Sequence, residues 1–121
     1  NNPAKAKELA VSQYGNGTDV IFAAAGASNN GLFDAAEEKR KLAIGVDSNQ
    51  NWVKPGFILT SMLKRVDVAV YETIRDATQG RFQAGVNRFG LANKGVDYAL
   101  DQYNEKLIPT QVRQEIDKLR A

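Results

Sequence analysis

Three short apolar runs, "VIFAAA" at 20–25, "LAIGV" at 42–46 and "FILTS" at 57–61, are separated by segments of helical periodicity. This alternation constrains the fold more than any other feature. A run of four to seven residues that is apolar on both sides suits a parallel strand covered by helices, and strands alternating with helices give an α/β sheet. The expectation is a doubly wound parallel sheet with strands at 19–25, 42–46 and 57–60. At 121 residues the chain has the length of one domain.

The intervening helices are read from their spacing. Asn2 suits an N-cap and Pro3 the first helical position, and Ala6, Leu9, Ala10 and Tyr14 share a face before Gly15 and Gly17 stop the helix. A second helix is expected from Gly31 to Lys41 with Leu32, Phe33, Ala35 and Ala36 inward, its acids preceding its bases as the helix dipole favours. Leu63, Val66, Val70 and Ile74 predict a third from Met62 to Ala77. The segment "RFQAGVNRFGLANKGVDYAL" is broken by Gly85, Gly90 and Gly95 and predicts two short strands and an edge hairpin. Pro109 opens a last helix with Val112, Ile116 and Leu119 on one face.

Composition narrows the chemistry. The chain has no cysteine and no histidine, which excludes thiolate catalysis, imidazole catalysis and the usual zinc sites. Sixteen basic residues face fourteen acidic ones with the signs interspersed, so no basic stripe supports nucleic-acid binding. No nucleophile–base pair stands out, so an enzyme is not expected; no metal or cofactor is expected either. No apolar run approaches the roughly 20 residues that span a bilayer. The abrupt helical opening "NNPAKAKELA" is that expected of a fragment of a longer protein.

In an open α/β sheet the ligand lies beyond the carboxyl ends of the strands. The residues that follow each strand are Gly26–Asn30, Asp47–Gln50, then Ser61 and Lys64. Gly26 lets backbone approach a ligand, and the following helix start points N–H groups to the same space. Asp47 is a lone carboxylate able to accept two hydrogen bonds from a vicinal diol, as in a ribose. Lys64 and Arg65 are placed in the first turn of the third helix, where the dipole disfavours cations by roughly 0.3–1 kcal/mol each. Singly, each has a plain alternative: a turn glycine, an Asx-turn, a solvated charge. Trp52 and Phe57 lie in the loop beside Asp47, where the tryptophan is expected to pack over the sheet edge rather than to stack on a base.

Two phosphate schemes fail or weaken on the residues. Gly26 and Gly31 have P-loop spacing, but Leu32 and Phe33 stand where Lys and Ser/Thr are required. Asp47 follows Gly26 at the spacing of a dinucleotide-binding acid, but Ser28 replaces the second glycine. A nucleoside without phosphates fits better.

The blocks "TDVIFAAAGASNNGLFDAAEE", "AIGVDSNQ", "ILTSMLKRVDVAVYETI" and "GVDYALDQYN" closely resemble the basic-membrane-protein family of bacterial lipoproteins, which includes purine nucleoside receptors of ABC transporters. The resemblance implies one lobe of a type I periplasmic-binding-protein-like fold, with residues 1–121 as a single lobe from the carboxy-terminal part of a two-lobed protein. It implies ligand contacts at Gly26, Asp47 and Lys64, with Lys64 donating to the sugar or to Asp47. It also implies a membrane permease as partner, a first lobe of the same protein, and an extracytoplasmic, lipid-anchored location. The loop "GASNNG" departs from the more glycine-rich loop of many members. An unpaired edge beside the first strand would invite self-association. Two alternatives remain open on the residues: a nucleotide-binding domain of an oxidoreductase, and the ligand-sensing domain of a regulator with the same fold.

Overall fold

The computed structural model describes residues 1–120. Helix α1, Pro3–Gly15, begins where Asn2 Oδ1 accepts the Lys5 N–H at 3.0 Å, with Pro3 in the first helical position. Strand β1, Val20–Phe22, is followed by a 3-10 turn at Gly26–Ser28 and by helix α2, Asn29–Lys39. Strand β2 spans Leu42–Gly45 and β3 spans Ile58–Lys64. Helix α3, Val66–Thr78, strand β4, Val96–Tyr98, and helix α4, Thr110–Arg120, complete the order. The sheet runs β1-β2-β3-β4; the first two pairings are parallel and β3–β4 is antiparallel.

The core forms where α1 and α2 pack on the middle strands. Ala10 and Tyr14 of α1, Leu32, Phe33, Ala35 and Ala36 of α2, Ala43 of β2 and Ile58 of β3 are buried together. The predicted inward residues of the second helix are therefore the buried ones. The Tyr14 hydroxyl donates to the Leu42 carbonyl at 2.7 Å, and burial pushes its pKa up to about 12. Gly31 marks the closest approach of the two helices: a Cβ there would lie 1.8 Å from the Pro3 carbonyl oxygen.

Several boundaries differ from the sequence reading. β1 stops at Phe22 instead of running to Ala25, because the Asn29 side chain takes the Ala23 carbonyl at 2.7 Å in place of a ladder partner. β3 is longer than 57–60, since Met62, Leu63 and Lys64 pair with Tyr98, Asp97 and Val96. Leu63, counted as a helical position, is thus a strand residue, and α3 starts at Val66. In place of a hairpin, residues 81–90 run without regular structure and residues 91–94 form turns. Asn93 closes one by accepting from Gly90 N–H at 2.6 Å and donating to the Arg88 carbonyl at 3.0 Å.

α3 differs in its surroundings too. Val66, Val70, Tyr71 and Ile74 are exposed among the described residues, so its apolar face meets no neighbour there. On α4, Val112 and Ile116 line an apolar cavity of about 380 Å³ with Leu59, Tyr98 and Ile108, while Leu119 points to solvent.

Two outcomes are expected from the core. Gly31→Ala gains helix propensity of up to about 1 kcal/mol, but the new methyl meets backbone that cannot swing aside. Overpacking should dominate and destabilise by about 1–3 kcal/mol; an unchanged thermal midpoint would disprove this contact. Tyr14 contributes stability that is fully present below the ordinary tyrosine range and lost as pH rises through about 12. Urea melts of wild type and Tyr14→Phe between pH 8 and 12 should converge as the hydroxyl ionises.

Candidate functional site

The candidate residues lie at the carboxyl end of the parallel strands. Phe22 of β1 pairs with Ile44 of β2, and Gly45 of β2 pairs with Ser61 of β3. Gly26 and Asp47 therefore follow neighbouring strands off one edge, and Lys64 is the last residue of β3. This corrects the placement of Lys64 and Arg65 in a helical first turn. Lys64 is a strand residue paired with Val96, and Arg65 is the N-cap of α3, its guanidinium paired with Asp67 at 2.8 Å. The helix-dipole argument for Lys64 is thereby removed.

Asp47 and Lys64 are joined twice. The Lys64 N–H donates to the Asp47 carbonyl at 3.0 Å, and Lys64 Nζ lies 2.6 Å from Asp47 Oδ1. Both side chains remain more than half exposed, so the carboxylate is oriented and still reachable. Asp47 is also the central residue of a γ-turn: its φ is 70°, and the Ser48 N–H donates to the Val46 carbonyl at 2.9 Å. That conformation is rare and strained for a residue with a side chain, typically by 1–3 kcal/mol.

Gly26 has a φ of 56° at the start of the 3-10 turn. The nearest atom to a Cβ there would be Asn1 Oδ1 at 3.6 Å, so backbone conformation rather than space requires the glycine. Ser28, the N-cap of α2, makes no side-chain capping hydrogen bond among the described residues. Asn29, almost wholly buried, uses its amide nitrogen on Ala23 while its Oδ1 has no hydrogen-bond partner in the structure.

The loop between β2 and β3, residues 46–57, is stitched down by amides. Gln50 Oε1 accepts the Val46 N–H at 2.9 Å, and the Gln50 N–H donates to Ser61 Oγ at 3.0 Å. Ser61 Oγ in turn donates to Asn51 Oδ1 at 2.8 Å. Asn51 and Asn49 both donate to Asp101 Oδ2, at 3.1 and 2.7 Å. Ser61 is therefore a buried support and not a group facing a ligand. Gly45 leaves room for this knot, since a Cβ there would lie 2.6 Å from Ser61 Oγ.

Asn51, Asp101 and Asn104 were not singled out by sequence reasoning. The signal of Asp101 and Asn104 is the D-x-x-N turn "DQYN": Asp101 Oδ1 accepts the Tyr103 N–H and Asn104 Oδ1 accepts the Asp101 N–H, both at 2.8 Å. Burial raises the Asp101 pKa, but hydrogen bonds from Asn49, the Tyr103 N–H and Asn51 outweigh it and hold the carboxyl below its ordinary value. Trp52 does not pack over the sheet edge; it is 62% exposed, with its indole N–H on the Asn49 carbonyl at 3.1 Å. Phe57 packs half-buried against the core. A larger cavity of about 690 Å³ lies between α3 and residues 81–94.

The fold is one shared with solute-binding proteins of ABC transporters. A solved ABC-transporter solute-binding protein from Aeropyrum pernix K1 superposes with a TM-score of 0.71 at 31% identity, covering 98% of this chain and 33% of that one. A transcriptional activator of the comK gene from Bacillus halodurans has a TM-score of 0.85 at 21% identity over 98% of this chain and 41% of its own, a likeness of fold. Among sequences, an uncharacterized lipoprotein of Pyrococcus abyssi is 38% identical over 88 residues, covering 68% of this chain and 22% of its own length. The nucleoside-binding protein BmpA of an ABC transporter in Lactococcus lactis is 31% identical, covering 86% of this chain and 35% of its own length. Residues 1–120 match the Bmp family, described as ABC transporter substrate-binding protein PnrA-like, and the chain belongs to that family.

The acid limb of stability tests the Asp101 assignment. Its contribution is fully present above the ordinary aspartate range, near pH 3.9, and is lost as pH falls through the lower folded-state value. Urea melts should show Asp101→Asn less stable than wild type at pH 7, with the gap narrowing by pH 3. A gap that is constant with pH would reject the role of the charge.

Proposed function

We propose that the chain is a lobe of an ABC-transporter receptor that holds a purine nucleoside. Asp47 accepts from the ribose hydroxyls, Lys64 orients Asp47 and donates to the sugar, and Gly26 brings backbone against the ligand. The observation that carries this reading is the strained Asp47 turn with its carboxylate held on Lys64 at the strand ends. Strain in a non-glycine residue at a ligand edge is a pointer to function. An oriented carboxylate is also the group a vicinal diol needs. The nucleoside-binding relative from Lactococcus lactis supports the ligand class.

The family is described as substrate-binding and one named relative is a nucleoside-binding protein of an ABC transporter, so the reading here is of a binding protein without catalysis. The chain spans 22% of the Pyrococcus abyssi relative and 35% of the Lactococcus lactis one, so the rest of the ligand contacts belongs to other parts of such a protein. Its partners are then a second lobe and a membrane permease, and the lipoprotein relatives favour an extracytoplasmic, lipid-anchored location. A regulator shares the fold, but the family match favours transport.

Calorimetric titration of inosine, guanosine and adenosine into the full-length protein tests this. Two hydrogen bonds to a charged acceptor are worth about 1.5–3 kcal/mol each, so Asp47→Ala should weaken binding at least about 100-fold. Lys64→Ala should cost less, about tenfold, because Asp47 remains. Unchanged affinity in Asp47→Ala would remove the site assignment. No heat from any of the three with wild type would remove the ligand class.

A further inference from the structure

Asp47 sits in a conformation its own side chain disfavours, so something outside the turn must hold it. The segment from Val46 to Asn51 is not in a helix or strand, and besides the Lys64 contacts to Asp47 two anchors fix it. One is Ser61 of β3, through the Gln50 N–H and Asn51 Oδ1. The other is Asp101, about fifty residues away in sequence, which takes both the Asn49 and Asn51 amides on a single oxygen. The Asn51 N–H closes the loop on Asn49 Oδ1 at 3.0 Å, so the two asparagines form one unit. Asp101 is itself immobilised by its turn with Tyr103 and Asn104. Asn104, fully buried, ties that turn to β3 by donating to the carbonyls of Leu59 and Ala99, both at 2.9 Å.

We infer that Asp101 is a positioning residue for Asp47: through Asn49 and Asn51 it clamps residues 46–51 so that Asp47 stays in its γ-turn, facing Lys64. The inference rests on the proposed role of Asp47 in ligand binding, but the clamp has a readout that needs no ligand. Losing the Asp101 carboxylate leaves two amide donors without their acceptor and frees the loop to relax the strained turn. The buried strand pairing at Ala43, whose N–H donates to the Phe57 carbonyl at 2.9 Å, stays intact.

The test is amide hydrogen exchange of the full-length protein, with inosine titration beside it. In Asp101→Ala the Ser48 and Lys64 amides, which close the turn and hold Asp47, should exchange at least tenfold faster while Ala43 is unchanged. Asn49→Ala, at an exposed position, should act in the same direction and remains available if Asp101→Ala does not fold. The double variant should be little worse than the more severe single, since both break one link. Inosine affinity should fall tenfold or more in each. Equal acceleration at Ala43 and Lys64 would reduce Asp101 to general stability and overturn the inference, as would unchanged Lys64 exchange. If wild type takes up no inosine, the proposed ligand fails and the exchange pattern alone decides the clamp.

Discussion

The connection from β2 to β3 is a parallel crossover made without a helix. Parallel neighbours need a long return path, and a helix is the usual one because it satisfies its own backbone polar groups. Residues 46–57 lack that internal ladder, and part of the segment is buried, so side chains must supply the partners. Gln50, Ser61 and Asn49 do so for the N–H groups of Val46, Gln50 and Asn51, and Asp101 holds the two asparagines; the same bonds that make the crossover possible also present Asp47 at the sheet edge. Support and site are one network.

The network reaches β3 at its irregular point. The β2–β3 register shifts between Ala43 and Ile44, so that Ala43 faces Ile58 and Ile44 faces Thr60, leaving Leu59 as the extra residue. A bulge leaves backbone groups unpaired. Here the Asn104 amide takes the Leu59 carbonyl, and the Thr60 hydroxyl takes the Ala99 carbonyl at 2.7 Å. The segment after β4 therefore both repairs the bulge and carries Asp101 to the loop. On the other side of the loop, Lys54 bridges Asp34 and Glu37 of α2, at 3.1 and 2.5 Å, which raises the lysine's pKa. With both carboxylates about half exposed, this bridge is worth little singly; its effect is to give the loop a second, salt-sensitive tether.

Local chemistry legible in the sequence survived folding where it was self-contained. Asn2 and Pro3 start α1, Leu32, Phe33, Ala35 and Ala36 are buried, and Gly26 takes a positive φ. The reading went wrong where a distant partner decided the outcome. Leu63 has helical spacing with Val66, Val70 and Ile74, yet pairing with Asp97 makes it a strand residue. Trp52 had the character of a packing aromatic, yet its loop is held by amides in a position that leaves the indole in solvent.

From the sequence alone came the alternating α/β order, the family likeness, and Gly26, Asp47 and Lys64 as strand-end candidates, because strand ends and periodicity are local patterns. Tertiary structure alone decided that Lys64 ends a strand, that Ser61 is buried support, and that Asp101 meets Asn49 and Asn51. Those facts depend on register and on hydrogen bonds between residues about fifty positions apart. No periodicity encodes such contacts: a buried amide finds its partner only after the apolar core has brought the two segments together.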